Sequence, residues 1–307
     1  MRAFIFPGQG SQAVGMGAAL ADASRAARDV FDEVDEALGQ NLSRLMREGP
    51  EDELKLTENA QPAIMANSIA VLRAWGVRLP DVADFVAGHS LGEYSALCAA
   101  SSFDLATAAK LLKLRGRAMQ QAVPVGQGAM AALLGADLAL AQKIADAAAQ
   151  GEVCTVANDN DPTQVVISGH KGAIDRAIEL AREMGAKRAL PLPVSAPFHC
   201  PLMQPAAEAM ADALSYVVLE APAVPLYANV TAQPATDPDA IRTQLVEQVT
   251  GMVRWRESVA NLFDAGVDEF VELGGKVLGG MVKRITPDAK VTSVVTIEDV
   301  EALAREF

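Results

Sequence analysis

Cysteine, aromatic side chains and positive charge are all scarce in this chain of 307 residues. Its three cysteines, Cys98, Cys154 and Cys200, lie far apart and form no Cys-x-x-Cys pair, which disfavours both a disulfide framework and structural zinc. Only 26 Lys and Arg stand against 39 Asp and Glu, so the net charge is −13. Because a general nucleic-acid-binding protein should be basic, that class of function is disfavoured. We expect neither a metal nor a nucleic-acid partner.

Long apolar runs are missing as well. No run of about 18 apolar residues, the length that a membrane-spanning helix needs, occurs in the chain. The apolar residues that precede Pro7 are too few for a signal peptide. We therefore expect a cytoplasmic protein that does not span a membrane.

Small and aliphatic residues are abundant: half of the chain is hydrophobic, although only 5% of it is aromatic. This composition is typical of helices packed on a mostly parallel sheet. The apolar patterns predict strands at 2–7, 84–87, 225–229 and 268–272, and helices at 22–39, 61–75, 104–121 and 254–265. Pro62 is expected in the first turn of helix 61–75, where its missing N–H costs little.

The pattern changes after Pro124. Strands are predicted at 128–134, 152–157, 164–168 and 187–194, and helices at 137–150 and 171–185. The resulting order, β-α-β-β-α-β, is that of a ferredoxin-like unit. We interpret residues 125–196 as such a subdomain, inserted into a larger α/β domain made of 1–124 and 197–307. Asn158 and Asn160 are expected in the loop between its two middle strands, where Asn commonly forms turns.

The segment from Gly88 to Gly92 matches the pattern Gly-x-Ser-x-Gly. It lies between a predicted buried strand and a predicted helix, which is where the nucleophile elbow of an α/β-hydrolase-like fold occurs. On this interpretation the turn exposes the hydroxyl of Ser90, and the backbone N–H of Leu91 faces the same site. The alternative is an ordinary strand-to-helix turn in which Ser90 caps the helix.

A serine nucleophile needs a base, and the chain offers three histidines. His89 is on the elbow itself and is expected to point away from Ser90. His170 ends a strand of the inserted unit, where a solvated turn is its expected role. His199 lies where the chain returns to the larger domain, so elimination favours it as the base. Its alternative is a buried histidine with satisfied hydrogen bonds.

Several separated motifs now resemble one family, the malonyl-CoA:acyl-carrier-protein transacylases of fatty-acid synthesis, and the resemblance runs essentially from end to end. The matching segments are Phe6–Gln12, Gly88–Glu93, Arg115-Gly116 with Met119-Gln120, Gln164–Gly169 and Ser195–His199. The resemblance implies that Ser90 is acylated and that His199 is its base. It implies an oxyanion hole formed by the backbone N–H groups of Gln9 and Leu91. It also implies that Arg115 binds the free carboxylate of malonate, although a surface arginine is the alternative for that position.

The resemblance implies further roles around this centre. A backbone carbonyl near Val253–Trp255 would orient the histidine, which makes Arg254 a candidate support residue. Apart from the resemblance, Phe198 is next to His199 in the sequence and is expected to narrow the space beside the malonyl α-carbon and to disfavour branched acyl groups. Asn158 and Asn160 are candidate substrate contacts.

The expected reaction is a ping-pong transfer of malonyl from malonyl-CoA to the phosphopantetheine thiol of acyl carrier protein, without a cofactor, by a monomer. Three alternatives are a serine hydrolase or thioesterase, a scaffold subunit without turnover, and an acyltransferase of polyketide synthesis or malonate decarboxylation. Because carrier proteins of this type are acidic, docking would need local basic residues. The candidates are Lys187, Arg188, Lys276, Lys283 and Arg284.

Overall fold

The computed structural model describes residues 1–194 and 196–306. Its larger sheet has six strands in the spatial order β10-β9-β1-β2-β7-β8. These strands are β1 (Arg2–Phe6), β2 (Phe85–Gly88), β7 (Leu226–Tyr227), β8 (Pro234–Ala235), β9 (Glu269–Leu273) and β10 (Lys290–Val294). All neighbouring pairs are parallel except the short β7–β8 pair. The predicted mostly parallel sheet is confirmed.

The second sheet is antiparallel and has four strands in the order β4-β5-β3-β6. The strands are β3 (Gly128–Leu134), β4 (Cys154–Asp161), β5 (Gln164–His170) and β6 (Arg188–Pro191). Helices α9 (Leu138–Ala149) and α10 (Lys171–Glu183) connect them in the predicted order β-α-β-β-α-β. The chain is therefore a mixed α/β protein with a mostly parallel sheet and a separate antiparallel one.

The other helices precede or follow the second sheet in the chain. Before the second sheet they are α1 (Ala18–Ala23), α2 (Arg25–Leu38), α3 (Leu42–Glu48), α4 (Glu51–Lys55), α5 (Thr57–Trp75), α6 (Leu79–Val82), α7 (Gly92–Ala99) and α8 (Leu105–Gln121). After it follow a 3₁₀ turn (Pro201–Met203), α11 (Gln204–Ser215), α12 (Pro238–Thr250), α13 (Trp255–Asp264), α14 (Leu278–Ile285) and α15 (Ile297–Ala304). Among the helices of the described residues, none combines the length and the apolar composition of a membrane span.

Strand β1 shows how the larger sheet is buried on both faces. Phe4 and Phe6 belong to the core on one side, whereas Ala3 and Ile5 belong to the core on the other side. All four side chains are fully buried. They alternate between the two cores because successive residues of a strand point to opposite faces. A strand buried in this way has an uninterrupted apolar sequence, which explains why the sequence predicted it well.

Two local predictions were wrong. Helix α5 begins at Thr57 and not at residue 61, so Pro62 lies inside the helix rather than in its first turn. Strand β4 continues to Asp161, so Asn158 and Asn160 lie in a strand and not in a loop. The polar side chains at the end of β4 are buried. Polar and charged side chains of other elements pair with them, which offsets the cost of burying them. The carboxylate of Asp159, for example, forms an ion pair with Arg256 of α13, with 2.8 Å between its Oδ2 and Nη2 of the arginine.

Candidate active site

The turn from β2 into α7 presents Ser90, and two glycines permit its sharpness. A Cβ atom on Gly88 would lie 1.9 Å from the carbonyl of Gly92. A Cβ atom on Gly92 would lie 2.2 Å from the backbone oxygen of Phe6. Ser90 itself has a φ of 55°, in the left-handed region that non-glycine residues rarely adopt. The predicted elbow is therefore present, and its strained backbone is typical of functional turns.

His199 contacts Ser90 directly. Its Nε2 lies 2.7 Å from the hydroxyl oxygen of Ser90, and its Nδ1 lies 2.8 Å from the backbone oxygen of Gln248. A carbonyl can only accept, so Nδ1 carries the proton and Nε2 is free to accept the proton of Ser90. His199 has a φ of 56°, so both partners have unusual backbone conformations.

The carbonyl that orients His199 is in helix α12, and the expectation that it lies near Val253–Trp255 was wrong. Arg254 directs its guanidinium to Glu257, with an ion pair of 2.7 Å, and to the backbone oxygen of Val230. No motif marks Gln248 in the sequence, because its backbone oxygen is brought to the imidazole only by the packing of α12.

The other two histidines have different partners. Nε2 of His89 lies 2.8 Å from the side-chain oxygen of Asn160. Nδ1 of His170 accepts a hydrogen bond from the backbone N–H of Val153 at 2.9 Å. The structure thus places only His199 against Ser90, as the elimination argument predicted.

Burial and the nearby guanidinium of Arg115 lower the pKa of His199 to about 3. Both causes disfavour the imidazolium, because a buried cation loses hydration and a second positive charge repels it. The imidazole is consequently neutral at physiological pH, which is the state that a general base requires.

Arg115 lies within α8 and is 1% exposed, which excludes the alternative of a surface arginine. Its Nη2 donates to the hydroxyl oxygen of Ser90 at 3.1 Å and to the side-chain oxygen of Gln248 at 2.8 Å. Its Nη1 donates to the side-chain oxygen of Gln61 at 2.7 Å. These hydrogen-bond partners are all uncharged.

The acid that lies near Arg115 is Glu93, at the end of the elbow motif. Glu93 is 1% exposed, and burial raises its pKa to about 8. Its carboxyl accepts from the side-chain amide of Gln248. Because a carboxyl with this pKa is mostly protonated at pH 7, Arg115 keeps an uncompensated positive charge beside Ser90.

Gln9 and Leu91 line the same cavity of about 300 Å³ as Ser90. The backbone N–H groups of these two residues donate no hydrogen bond to any described backbone oxygen. The elbow below them is fixed by Asn229, whose side-chain oxygen accepts from the N–H of Ser90 at 2.8 Å. Its side-chain amide donates to the oxygen of Gly88 at 2.6 Å. Asn229 was not among the residues that the sequence indicated.

Only some of the candidate substrate contacts line this cavity among the described residues. Phe198, His199 and Asn158 line it. The side chain of Asn160 is directed at His89 instead, so the structure separates the two asparagines. Ser195, the first residue of the fifth matching segment, lies outside the described residues.

Residues 3–282 match the family model of the acyl transferase domain. The chain belongs to the acyl transferase domain family. This acyl transferase is similar to the malonyl CoA-acyl carrier protein transacylase of Escherichia coli K12, with 47% identity over 92% of each chain. It is 45% identical to the transacylase of the same name from Bacillus subtilis 168, over 97% of this chain and 95% of the relative.

Solved structures agree with these relatives. An acyl-carrier-protein S-malonyltransferase from Bartonella henselae superimposes with a TM-score of 0.97 at 52% identity, covering 99% of this acyl transferase and 98% of that chain. A malonyl-transacylase solved in complex with its type II PKS acyl-carrier protein superimposes with a TM-score of 0.96 at 40% identity, covering 100% and 99%. The family identified from the motifs is thereby confirmed.

Proposed function

We propose that this acyl transferase moves a malonyl group from malonyl-CoA to the phosphopantetheine thiol of an acyl carrier protein, and so supplies fatty-acid synthesis. The observation that carries the proposal is the buried cation of Arg115, 3.1 Å from the hydroxyl oxygen of Ser90 and hydrogen-bonded only to uncharged partners. A buried charge without a counterion is costly, so the site favours an acyl group that brings its own carboxylate. The planar guanidinium can bind both oxygens of that carboxylate.

The first half-reaction would acylate Ser90. Nε2 of His199 takes the hydroxyl proton while Ser90 Oγ attacks the thioester carbon next to sulfur. The resulting oxyanion is stabilised by the free backbone N–H groups of Gln9 and Leu91. The carbon–sulfur bond then breaks, and the sulfur of coenzyme A leaves with the proton from His199.

The second half-reaction would reverse these roles. The thiol of the carrier's phosphopantetheine gives its proton to Nε2 of His199, and its sulfur attacks the ester carbon. The bond between that carbon and Ser90 Oγ breaks, and Ser90 recovers the proton. The carboxylate held by Arg115 keeps the acyl group in place between the two steps, and the reaction needs no cofactor.

Phe198 and Asn158 would shape the acyl site. Both residues line the cavity that contains Ser90, and the side chain of Phe198 is adjacent in sequence to the base. A rigid aromatic ring at that position would disfavour a branch on the malonyl α-carbon. Asn160 and Arg254 would act as support residues through His89 and Glu257.

The two sheets suggest a division of the chain into a catalytic domain and a subdomain. We infer an α/β-hydrolase-like catalytic domain, residues 1–124 and 197–307, with a ferredoxin-like subdomain at 125–196. The first strand of the antiparallel sheet begins at Gly128 and the last one ends at Pro191, which is consistent with these limits. The monomeric state and the cytoplasmic location stay predictions.

Carrier docking would use basic residues near the cleft, and the candidates differ in their partners. Lys187 and Arg188 are exposed on and beside β6. Arg284 forms an ion pair of 2.8 Å with the fully buried Asp161, so its charge is already compensated. Lys283 donates to the backbone oxygen of Ala289, and Lys276 lies 3.9 Å from Asp299. Lys187 and Arg188 are therefore the stronger candidates for contacting an acidic carrier.

The proposal is tested by following malonyl-CoA with purified enzyme, with and without holo carrier proteins of fatty-acid and polyketide synthesis. We expect stable malonyl-enzyme without carrier and rapid transfer to at least one carrier. Steady release of free malonate without carrier would indicate a hydrolase instead. The absence of any malonyl-enzyme would indicate a scaffold without turnover.

A further inference from the structure

Four side chains form an unbroken hydrogen-bond relay between the glycine loop and the nucleophile. The members of the relay are Gln9, Thr57, Gln61 and Arg115. Nη1 of Arg115 donates to Oε1 of Gln61 at 2.7 Å. Nε2 of Gln61 donates to the hydroxyl of Thr57 at 2.9 Å, and that hydroxyl donates to the side-chain oxygen of Gln9 at 2.8 Å.

The direction of each hydrogen bond in the relay follows from the one before it. A guanidinium only donates, so Gln61 must turn its oxygen towards Arg115 and its NH₂ group towards Thr57. The hydroxyl oxygen of Thr57 then accepts from Gln61, so its proton is directed to Gln9. Donors that point in one direction polarise each other, and the positive charge of Arg115 starts the series. Thr57 is 3% and Gln61 2% exposed, so water competes little with these bonds.

The relay ends at Gln9, which lines the same cavity as Ser90 and whose backbone N–H donates to no described backbone oxygen. Gln9 is exposed, and the other side-chain hydrogen bonds of its loop stay within the loop: Gly10 to Gln12, and Ser11 to Gly8. The hydroxyl of Thr57 is therefore the described side-chain contact that ties Gln9 to a helix. A fixed side chain restricts the backbone of the same residue, including the direction of its N–H.

We propose that Thr57 is a positioning residue for the transfer reaction: through its hydroxyl it holds Gln9 so that the backbone N–H of Gln9 points at the developing oxyanion. Gln61 fixes the direction of that hydroxyl. The inference rests on the proposed function, because it assumes that acyl transfer passes through an oxyanion in this cavity. Thr57 itself touches neither of the reacting atoms, so it acts through Gln9.

The test compares Thr57→Val, which removes the hydroxyl, with Thr57→Ser, which keeps it. Gln9→Ala removes the side-chain acceptor but keeps the backbone N–H. Thr286→Val is the matched control, since Thr286 is also buried and donates only to a local backbone oxygen in α14. Rates of enzyme acylation are measured with malonyl-CoA and with acetyl-CoA, together with the melting temperature of each variant.

We expect Thr57→Val and Gln9→Ala each to lower the acylation rate about tenfold, the worth of one lost hydrogen bond. The loss should be similar for both thioesters and leave KM unchanged, because both form the same oxyanion. Thr57→Ser should restore most of the rate. The double variant should be no slower than either single variant, since both changes break the same contact.

Three results would overturn the inference: a Thr57→Val rate equal to that of the wild type, a Thr57→Ser loss as large as that of Thr57→Val, or losses in the double variant that multiply. If Thr57→Val does not fold, Gln9→Ala still tests the inference, because Gln9 is exposed and its substitution should not disturb folding. A tenfold loss in Gln9→Ala would support the inference, and a rate equal to that of the wild type would overturn it. Failure of the proposed function looks different: the wild-type enzyme itself would then form no malonyl-enzyme.

Discussion

Gln248 contacts His199 through its backbone oxygen, 2.8 Å from Nδ1, and contacts Arg115 through its side-chain oxygen at 2.8 Å. One residue of α12 thus holds both the base and the cation of the site. A neutral carbonyl replaces the acid of a Ser-His-Asp arrangement, so no negative charge stabilises the imidazolium. Together with burial and Arg115, this keeps the pKa of His199 low.

The low pKa of His199 predicts an unusual pH profile. A base must be unprotonated to act, and with a pKa of about 3 the imidazole is unprotonated throughout the neutral and mildly acidic range. We expect the rate of malonyl-enzyme formation to stay constant between about pH 7.5 and pH 5.5. Stopped-flow or quenched acylation at several pH values measures this. A tenfold decrease per pH unit below the ordinary imidazole pKa would contradict it.

His199→Ala should slow acylation by about 10²–10⁴-fold, the usual contribution of a general base. His170→Ala is the matched control, because it removes an imidazole whose described partner is only the backbone N–H of Val153. Single-turnover kinetics compare the two variants with the wild type. Equal losses in both variants would refute the assignment of His199 as the base.

Arg115 should determine the preference for malonyl over acetyl. Arg115→Ala is expected to lower kcat/KM for malonyl-CoA by the equivalent of about 2–4 kcal/mol, because the malonyl carboxylate would be buried without a partner. Acetyl-CoA carries no such charge, so its kcat/KM should fall only by what the relay to Gln9 contributes, at most about tenfold. For malonyl-CoA, kcat/KM of Arg115→Lys should lie between those of the wild type and Arg115→Ala, since lysine keeps the charge but lacks the planar guanidinium that binds both carboxylate oxygens. Equal losses for both thioesters would mean that Arg115 supports the fold and not the choice of substrate.

Glu93 should make the enzyme less stable as the pH rises. Its pKa is about 8 in the folded state and near 4.5 when it is exposed, so unfolding releases a proton between these values. The free energy of unfolding of the wild type should therefore fall relative to Glu93→Gln from pH 5 to pH 8, by about 2–4 kcal/mol. His199 contributes a pH dependence of the opposite sign. It is present in both proteins, so its contribution cancels when the two free energies of unfolding are subtracted. Urea unfolding at both pH values gives the result, and a constant difference would show that Glu93 is ionised in the folded enzyme.

The sequence predicted what depends on local signals. The buried strand β1, the elbow at Ser90 and the order of elements in the antiparallel sheet all follow from nearby residues. Gln248 and Gln61 were missed because their partner Arg115 is 133 and 54 residues away in the chain. The end of β4 was missed because its polar residues resemble a loop until Arg256 and Arg284 are placed beside them.

Charge reversal of Lys187 and charge reversal of Arg284 should have different effects on the enzyme. Lys187→Glu is expected to raise KM for the carrier and leave malonyl-enzyme formation unchanged, because Lys187 is exposed. Arg284→Glu should lower the melting temperature instead, because it removes the partner of the fully buried Asp161. Steady-state kinetics and thermal unfolding of both variants distinguish these effects. A carrier KM that is independent of salt and of Lys187 would exclude docking at this position.

Both proposed half-reactions require that malonyl is carried on Ser90. Intact-mass analysis after a short exposure to malonyl-CoA tests it most directly, with Ser90→Ala beside the wild type. Ser90→Ala removes only the hydroxyl, so the variant should fold normally. We predict one malonyl adduct on the wild-type protein, mapped to the peptide that contains Ser90, and no adduct on Ser90→Ala. A malonyl adduct of equal amount on Ser90→Ala would show that another residue carries the malonyl group.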